Sequence, residues 1–506
     1  MISNAVGTER ISRITGYQLT GGNFSEVSPN LPQRIAVIGE GNTANQGTMP
    51  LVATEVTSAQ QAGNLFGFGS PIYNMMRILR PTTSDGVGGI PTIVYPQVEG
   101  ANVAKEQTIT VVGTATVNAT HIVKINGRTG VEGDNYSFAV LTGEDQDDIA
   151  AKIVDAINNV LGSPVIASAV GGIVTLVSKW KGLTSNEMNA TVETDDISAG
   201  MTYSNAITVA GSGTPSVSSA LTFANEWNTI VVNSYGIEAD SVMDELEAYN
   251  GKPDPVTPTG RFVGILMKPF IALTGSLRNA GVSTDTIDTV ARRNELTIAI
   301  CPAPGSLGLA MEAAANMAVL FARIEQDTPH LDVAGKSYPD MPTPTGLISM
   351  SDYNNRDAYA KAGYTTVDIN SGKYEIQDFI TTYHPLGEAV PQYRYCRNLM
   401  IDFNIKFGYY LLEEINVVDH AIADNDDVVD ASNVIKPKQW ISILNTYADG
   451  LAKRALIAQP SFMQDSLEVG LSTSNPDRLE TFFKYKRTGF VRIASTTAEA
   501  GFNFGS

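Results

Sequence analysis

A strand–helix–strand pattern that stops and later resumes is the feature that most limits how this chain can fold. Residues 34–39 (RIAVIG) form an apolar run that predicts a buried strand, two short helices follow, and residues 90–95 predict a second strand. The pattern returns with a helix predicted at residues 216–226 and a strand at 228–232 (NTIVV). Strands that alternate with helices are typical of an α/β layer. The sequence therefore predicts one α/β domain that is split by an insertion.

The predicted insertion has a pattern of its own. The stretch TITVVGTATVNA is rich in β-branched residues, and Asn126-Gly127 is a turn signal. A helix is predicted where Asp147 and Asp148 place carboxylates in the first turn, which the helix dipole favours. Two further strands are predicted within residues 164–178, separated by two glycines. We expect a compact β-sheet-plus-helix module here.

The second half of the chain contains long helices and one clear hairpin. The segment LGLAMEAAANMAVLFARIEQ predicts a helix, and a proline-rich crossing follows at residues 326–347. A hairpin is predicted around the turn Asn370-Ser371-Gly372, and the segments NLMIDFNIKFGYYLLEEI and IKPKQWISILNTYADGLAKRALI predict two more helices.

The last residues, KYKRTGFVRIASTTAEAGFNFGS, predict a terminal strand with an unusual charge. Residues 484–506 contain the cations Lys484, Lys486, Arg487 and Arg492 but only one acid, Glu499, so this segment carries +3 while the whole chain carries −19. The backbone of a terminal strand must pair with another strand or with water. A basic strand at the end of an acidic chain therefore raises the question of its partner.

Composition excludes several classes of function. A net charge of −19 disfavours general binding to nucleic acid, which needs a basic face, and to anionic membranes. No apolar run reaches the roughly 18 residues that a membrane-spanning helix needs, and the N-terminus has no apolar core of a signal peptide. Cys301 and Cys396 lie far apart and outside any CxxC, which is typical of buried thiols in a reducing compartment.

Motifs for catalysis or cofactor binding are incomplete. The stretch IAVIGEGN follows a strand but lacks the third glycine of a dinucleotide fingerprint, and no P-loop is present. The four histidines stand at no metal-ligand spacing, and the acidic loop that begins at Asp424 has Val429 where a calcium loop needs glycine. We therefore expect no enzyme activity, no cofactor and no metal.

Five segments in a fixed order give the chain a specific resemblance. They are the small-residue helix AMEAAANMAVLFA, the crossing DTPHLDVAGKSYPDMPTP, the hairpin region RDAYAKAGYTTVDINSGKYEIQDFITTYH, the helix RYCRNLMIDFNIKFGYYLLEEI and the terminal region SNPDRLETFFKYKRTGFVRIA. In this order they resemble the contractile tail sheath proteins of bacteriophages, particularly the Mu-like group. The resemblance covers most of residues 30–506, although Asn-Pro-Asp stands here where the family has Asp-Pro-Asn.

The resemblance implies a multidomain α+β and α/β tail-sheath fold with extended arms. The implied parts are an N-terminal arm (1–31), a discontinuous α/β middle domain (32–102 and 203–348), an inserted outer domain (103–202), a C-terminal sheath domain (349–483) and a C-terminal strand or arm (484–506). It also implies a structural, non-enzymatic subunit of the virion, assembled in the host cytoplasm. The subunit would polymerise as stacked hexameric rings around the tail tube and contract to drive the tube through the host envelope.

The implied partners are copies of the chain itself, the tail tube protein, and the baseplate and tail terminator proteins, with neither nucleic acid binding nor membrane insertion. In such sheaths the terminal strand pairs with a sheet of neighbouring subunits, which here implies exchange through Phe490, Val491, Arg492 and Ile493. Arg478, Lys484, Lys486 and Arg487 are candidate charged contacts to the tube or to a neighbour. A basic edge that only discourages wrong strand pairing is the alternative for these cations.

Three other functions stay open from the sequence. The chain could be the sheath of a phage-like bacteriocin or of another contractile injection system. It could be an α/β enzyme whose site the motif search did not find. It could also be another virion protein, although a tail tube subunit is generally much smaller than 506 residues.

Overall fold

The computed structural model describes residues 29–100, 102–194, 197–250, 268–278, 292–293, 295–387 and 392–501. The chain divides into two compact units. The larger unit contains Asn30–Phe407 together with Gly489–Ser506, and the smaller unit contains Gly408–Thr488. We describe each unit by itself.

The described residues form helices and strands throughout both units. The helices are α1 (Ala59–Phe66), α2 (Pro71–Leu79), α3 (Gln146–Asn158), α4 (Asp240–Asn250), α5 (Ala310–Asp327), α6 (Tyr353–Lys361), α7 (Cys396–Asn416), α8 (Pro437–Lys453) and α9 (Pro460–Asp465). The strands of the larger unit are β1 (Ile35–Glu40), β2 (Thr54–Glu55), β3 (Thr92–Gln97), β4 (Glu106–Val112), β5 (Ala119–Ile125), β6 (Gly130–Val131), β7 (Asp134–Asn135), β8 (Ser137–Val140), β9 (Val165–Val170), β10 (Ile173–Ser178), β11 (Ala190–Glu193), β12 (Thr202–Val209), β13 (Ile230–Asn233), β14 (Ile271–Ser276), β15 (Ile298–Pro302), β16 (Thr366–Asn370) and β17 (Lys373–Asp378). Those of the smaller unit are β18 (Ala421–Ile422), β19 (Val434–Ile435), β20 (Ile457–Ala458), β21 (Glu468–Leu471), β22 (Leu479–Phe482) and β23 (Lys486–Arg487). In the part of the chain that the structure describes, no helix combines the length and the apolar character needed to cross a membrane.

A six-stranded sheet in the order β15-β14-β13-β1-β3-β2 forms the centre of the larger unit. The pairs β1–β13, β1–β3, β13–β14 and β14–β15 are parallel, and the short edge strand β2 runs antiparallel to β3. Every residue of β1 is buried, as expected for a parallel sheet that is covered on both faces. The strand predicted from RIAVIG and the α/β layer are thereby confirmed.

Helix caps explain where the first helices begin. The Ser58 hydroxyl accepts a hydrogen bond from the backbone N–H of Gln61 and starts α1, and Ser70 does the same for α2 with Pro71 at the first helical position. The helix predicted at residues 216–226 is wrong, because only a short 3₁₀ turn, Ala220–Asn225, forms there. Just before this turn, the backbone N–H of Val217 donates to the Glu245 carboxylate.

The segment predicted as an insertion folds around a second core. Its strands form two antiparallel sheets in the orders β12-β4-β10-β9 and β11-β5-β8. The apolar stripe of α3, which includes Ile149, Ile153 and Ile157, is buried in this second core. Asp145 caps α3 by accepting bonds from the next turn, while Asp147 and Asp148 fill its first turn as the sequence predicts.

Four charged side chains connect the insertion to α2 and α5. Glu312 on α5 is almost fully buried and forms ion pairs with Arg77 of α2 and, at 3.3 Å, with Arg128, which follows β5. Asp340 contacts the same two arginines at 2.6 Å (Arg77) and 2.5 Å (Arg128). Because each guanidinium is shared by two carboxylates, the insertion is held to the central layer by a network rather than by one pair.

The sheet has a switch point where the chain order reverses, between β1 and β13. Ligands of α/β sheets commonly bind beside the carboxyl ends of strands at such a point. Here residues 181–184 and 213–215 pack against Glu40 and Tyr235, and the space that remains has no room for a water-sized molecule. Burial and the nearby Glu99 carboxylate raise the pKa of Glu40 to about 8.

The smaller unit is organised around α8. Trp440 is fully buried and its indole N–H donates to the Thr481 hydroxyl at 3.1 Å. Tyr409 packs edge-on to Trp440 and also contacts Phe483, with ring centres 5.8 Å and 5.5 Å away. Strands β21 and β22 form a hairpin that pairs Val469 with Thr481, and β20 pairs with β23.

Candidate assembly interface

Beyond β23, the C-terminal segment pairs with no strand among the residues that the structure describes. Within the predicted terminal strand, only β23 is paired, and the Thr488 N–H donates to the Leu456 carbonyl at 3.1 Å. Residues 489–501 are described by the structure, yet they form no strand and no backbone–backbone hydrogen bond with described residues. The strand predicted at 490–493 is therefore wrong for the single chain, because a strand needs a neighbouring edge and none of the described strands supplies one.

Side chains in this segment alternate between two sides. Phe490 and Arg492 are half-buried against the larger unit, while Val491 is 82% exposed and Ile493 is 85% exposed. A period of two is the side-chain pattern of extended backbone. The segment therefore presents apolar side chains and unpaired backbone groups to solvent, while Phe490 and Arg492 contact the larger unit on the opposite side.

Arg492 is held by three side chains that we call the Arg492 site: Asp332, Asp378 and Tyr395. Its guanidinium forms an ion pair with Asp332, whose side chain is 1% exposed, and lies 3.4 Å from the Asp378 carboxylate. The same guanidinium lies 3.7 Å from the centre of the Tyr395 ring and 5.4 Å from the Phe490 ring. Removing one partner of a buried ion pair commonly costs about 3–5 kcal/mol, because the other charge is left without compensation.

Two further buried groups determine the charge balance at the Arg492 site. Arg397 on α7 donates from Nε to the His330 carbonyl at 2.7 Å, and its guanidinium lies 5.7 Å from the Phe490 ring. Glu325 on α5 is fully buried, and neither of its carboxylate oxygens accepts a hydrogen bond. Burial, reinforced by repulsion from Asp332, raises the pKa of Glu325 well above its usual range. The Arg492 guanidinium itself is paired with two carboxylates, those of Asp332 and Asp378.

The four cations predicted to contact the tube or a neighbour all lie in the smaller unit and all have local contacts. Arg478 pairs with Glu480 at 3.0 Å, with both side chains exposed. The Lys484 ammonium lies 5.6 Å from the Phe482 ring. Lys486 donates to Gln459 at 2.7 Å and lies 4.3 Å from the Phe462 ring, and Arg487 belongs to β23. Their contacts to the tube or to a neighbouring subunit stay a prediction.

The β21–β22 hairpin is a possible acceptor for a further strand. It is a two-stranded sheet, and its residues Leu471 and Phe482 are 36% and 50% exposed. A groove of about 860 Å³ lies beside it and is lined by Tyr409, Glu413 and Ile441 together with hairpin residues. Two-stranded hairpins are marginally stable alone, and an open edge accepts a further strand. In the sequence, the alternating segment SLEVGLS was the signal that could have predicted this hairpin.

Among the described residues, no group of three or more His, Cys, Asp or Glu side chains could hold a metal ion.

Comparison with known proteins supplies a relative. No protein-family profile matches the chain. It is 31% identical over 138 residues to the Mu-like prophage FluMu tail sheath protein of Haemophilus influenzae, a match that covers 27% of this chain and 26% of that protein. The resemblance to the Mu-like tail sheath proteins is confirmed. The matched region spans only about a quarter of this curated relative's length.

Solved sheath structures align over nearly the whole chain, with low identity. The sheath tail protein of Desulfitobacterium hafniense aligns with 11% identity and a TM-score of 0.40, covering 94% of this chain and all of that one. The sheath tail protein of Listeria innocua aligns with 10% identity and a TM-score of 0.42, covering 92% of this chain and 93% of that one. The sheath of an extracellular contractile injection system, PVC, in its contracted state aligns with 8% identity and a TM-score of 0.47. This alignment covers 97% of this chain and 98% of that one.

Proposed function

We propose that this chain is the structural, non-enzymatic subunit of a contractile tail sheath that polymerises as stacked hexameric rings around a tail tube. The observation that carries the proposal is the C-terminal segment 489–501, whose backbone is unpaired and whose residues Val491 and Ile493 are exposed. Its similarity to a Mu-like tail sheath protein supports the same function.

Subunits would be linked by strand addition. The segment that includes Phe490, Val491, Arg492 and Ile493 of one copy would extend a sheet of the next copy, where main-chain hydrogen bonds give affinity. The β21–β22 hairpin is the acceptor we propose, because its edges are open and a groove lies beside it. A contact between two different surfaces generates rings or open helical arrays, as a sheath requires.

Contraction would use energy that is stored in the assembly. The exchanged strands would keep subunits linked while the α/β middle domain (32–102 and 203–348) and the inserted domain (103–202) rotate around the linked C-terminal domain (349–483). The arms at 1–31 and 484–506 would act as hinges. This motion would drive the tube through the host envelope, so the chain would be a virion component that is assembled in the host cytoplasm.

Charged residues of the smaller unit would contact the tube or a neighbouring copy. Arg478, Lys484, Lys486 and Arg487 are the residues we propose for this role, since these four cations lie within residues 478–487 of an acidic chain. Complementary charge sets register and the rate of association more than affinity. The baseplate and the tail terminator would bind the two ends of the polymer.

Electron microscopy of the purified chain over a concentration series tests the proposal. We expect hollow, striated cylinders, formed alone or after addition of tube and baseplate. Deletion of residues 489–506 is expected to abolish them, and this deletion leaves β23 and the smaller unit intact. A chain that stays dispersed with tube and baseplate present would overturn the sheath function.

A further inference from the structure

The C-terminal segment has a fixed part and an open part. Phe490 and Arg492 are turned toward the larger unit, where the Arg492 site and Arg397 contact them. Val491 and residues 493–501 are exposed, and the backbone of 489–501 has no strand partner among the described residues. One segment thus combines a built intramolecular contact with an unused edge.

We propose that Phe490 and Arg492 are anchor residues whose side chains stay in their own subunit when the chain polymerises, and that the part offered to a second copy is the exposed edge that begins at Val491. This inference rests on the proposed function. It limits which residues can move to a second copy, because an exchange of the entire strand would remove Arg492 from the Arg492 site.

Charge explains why the anchor residues stay. Asp332 is almost fully buried, and without Arg492 it would lose the guanidinium that forms its ion pair. Glu325, already buried without hydrogen bonds, lies in the same cluster and offers no positive charge. A neighbour that removed Arg492 would have to supply an equivalent cation at the same point, whereas an anchored arginine keeps the Asp332 carboxylate paired throughout assembly.

The length of the free part is sufficient for a link. The described exposed residues 493–501 number nine, and extended chain advances about 3.3 Å per residue, so this stretch can reach roughly 30 Å from Arg492. Extended backbone places its N–H and C=O groups to the sides of the plane in which side chains alternate. The same residues can therefore hold the subunit with one face and pair with a second copy along an edge.

A photo-crosslinking experiment separates anchoring from exchange. Phe490 is replaced by p-benzoylphenylalanine, and equal amounts of ¹⁵N-labelled and unlabelled subunits are mixed, polymerised and irradiated. Mass spectrometry of the crosslinked peptide pairs then reports whether both peptides come from one chain. We expect position 490 to give only pairs in which both peptides are labelled or both are unlabelled. Mixed pairs from position 490 in the polymer, or loss of the intrachain product on polymerisation, would overturn the anchor.

Val491 is the matched control position. It is adjacent to the anchor residues and faces solvent, so the same photoreactive residue there is expected to give mixed pairs in the polymer. The soluble chain is irradiated as well. If the soluble chain gives the intrachain product from position 490 but forms no polymer, the contact of Phe490 with its own subunit is supported and the sheath function is refuted. If the soluble chain does not give that product, the contact of Phe490 with its own subunit is refuted.

Substitution of Arg492 gives a second, independent readout. In Arg492→Gln we expect the intrachain product from position 490 to fall and the critical concentration for polymerisation to rise about tenfold, equivalent to about 1.4 kcal/mol. Arg356→Gln is the control, since Arg356 forms a partly buried ion pair with Asp368 at 2.9 Å on the same unit. Arg492→Lys keeps the charge but loses the planar contact with Tyr395, and we expect partial rescue. Polymerisation of Arg492→Gln at the wild-type concentration would overturn the proposal.

Discussion

The buried carboxyl group of Glu40 makes stability depend on pH in a direction that can be tested. Glu40 ends β1 and is 1% exposed, and its Oε1 atom accepts no hydrogen bond. Burial, with repulsion from Glu99, raises its pKa from 4.5 to about 8. A carboxyl group with a raised pKa is protonated in the folded chain where the unfolded chain is already ionised. Its contribution is therefore fully favourable below pH 4.5 and is lost as the pH rises toward 8.

The size of the effect follows from the two pKa values. They differ by about 3.5 units, and one unit corresponds to about 1.4 kcal/mol, so the penalty has an upper limit of about 5 kcal/mol above pH 8. At pH 7 the limit is about 3.4 kcal/mol by the same reasoning. Gln has the shape of Glu and no charge. We therefore expect Glu40→Gln to change stability little at pH 4 and to stabilise the larger unit by about 2–4 kcal/mol at pH 8.5.

Tryptophan fluorescence can report on the region that closes over Glu40. Trp180 is fully buried, donates to the Thr184 hydroxyl at 3.0 Å and precedes the residues that pack against Glu40. Urea unfolding is followed at pH 4, 7 and 8.5 with Trp180 as the single tryptophan, after Trp227→Phe and Trp440→Phe. Glu55→Gln, at an exposed position of β2, is the control. An equal effect of Glu40→Gln at pH 4 and pH 8.5 would refute the reasoning.

Three further predictions concern the ion network and the basic segment. Glu312→Gln keeps an oxygen that can cap α5 but removes the charge that Arg77 needs, so we expect a loss of about 3 kcal/mol in urea unfolding, and a loss under 1 kcal/mol would contradict it. Arg77 and Arg128 hold the pKa of Asp340 below its usual range, so the contribution of Asp340 to stability is present above the unfolded pKa of about 3.8 and is lost as the pH falls below that value. Asp340→Asn should therefore reduce the dependence of the unfolding free energy on pH in acid, and an unchanged dependence would argue against the ion pairs of Asp340. Lys484→Glu combined with Lys486→Glu should slow polymerisation and reduce its salt dependence, and polymerisation with unchanged salt sensitivity would exclude an electrostatic role for both lysines.

Local patterns account for the elements that the sequence predicted correctly. The apolar run of β1, the serines that cap α1 and α2, and the acidic first turn of α3 each act within a few residues, so they can be read without the fold. The coarse fold class, mixed α/β with several sheets, follows from their order. The identity of the relative came from a different source, the combination of segments in the second half of the chain.

What the sequence could not give is pairing at a distance. The composition of residues 490–493 favours a strand, but the pairing that makes a strand is absent from the single chain. Likewise, nothing in the stretch around Asp332 indicates that it receives Arg492 from a position 160 residues away. The closure of the switch point beside Glu40 depends on residues 181–184 and 213–215, which are also remote in sequence.

The positive charge of the C-terminal segment is divided between two roles. Arg492 belongs to the larger unit, and its charge is already balanced by Asp332 and Asp378 at a mostly buried position, where salt screens weakly. Lys484 and Lys486 belong to the smaller unit, and their side chains are exposed, so salt screens them strongly. The salt dependence of assembly should therefore report on the lysines, while the critical concentration at high salt should report on Arg492. If the basic segment acted as one electrostatic patch, the effects of the lysine substitutions and of Arg492→Gln on assembly would instead disappear together as salt is raised.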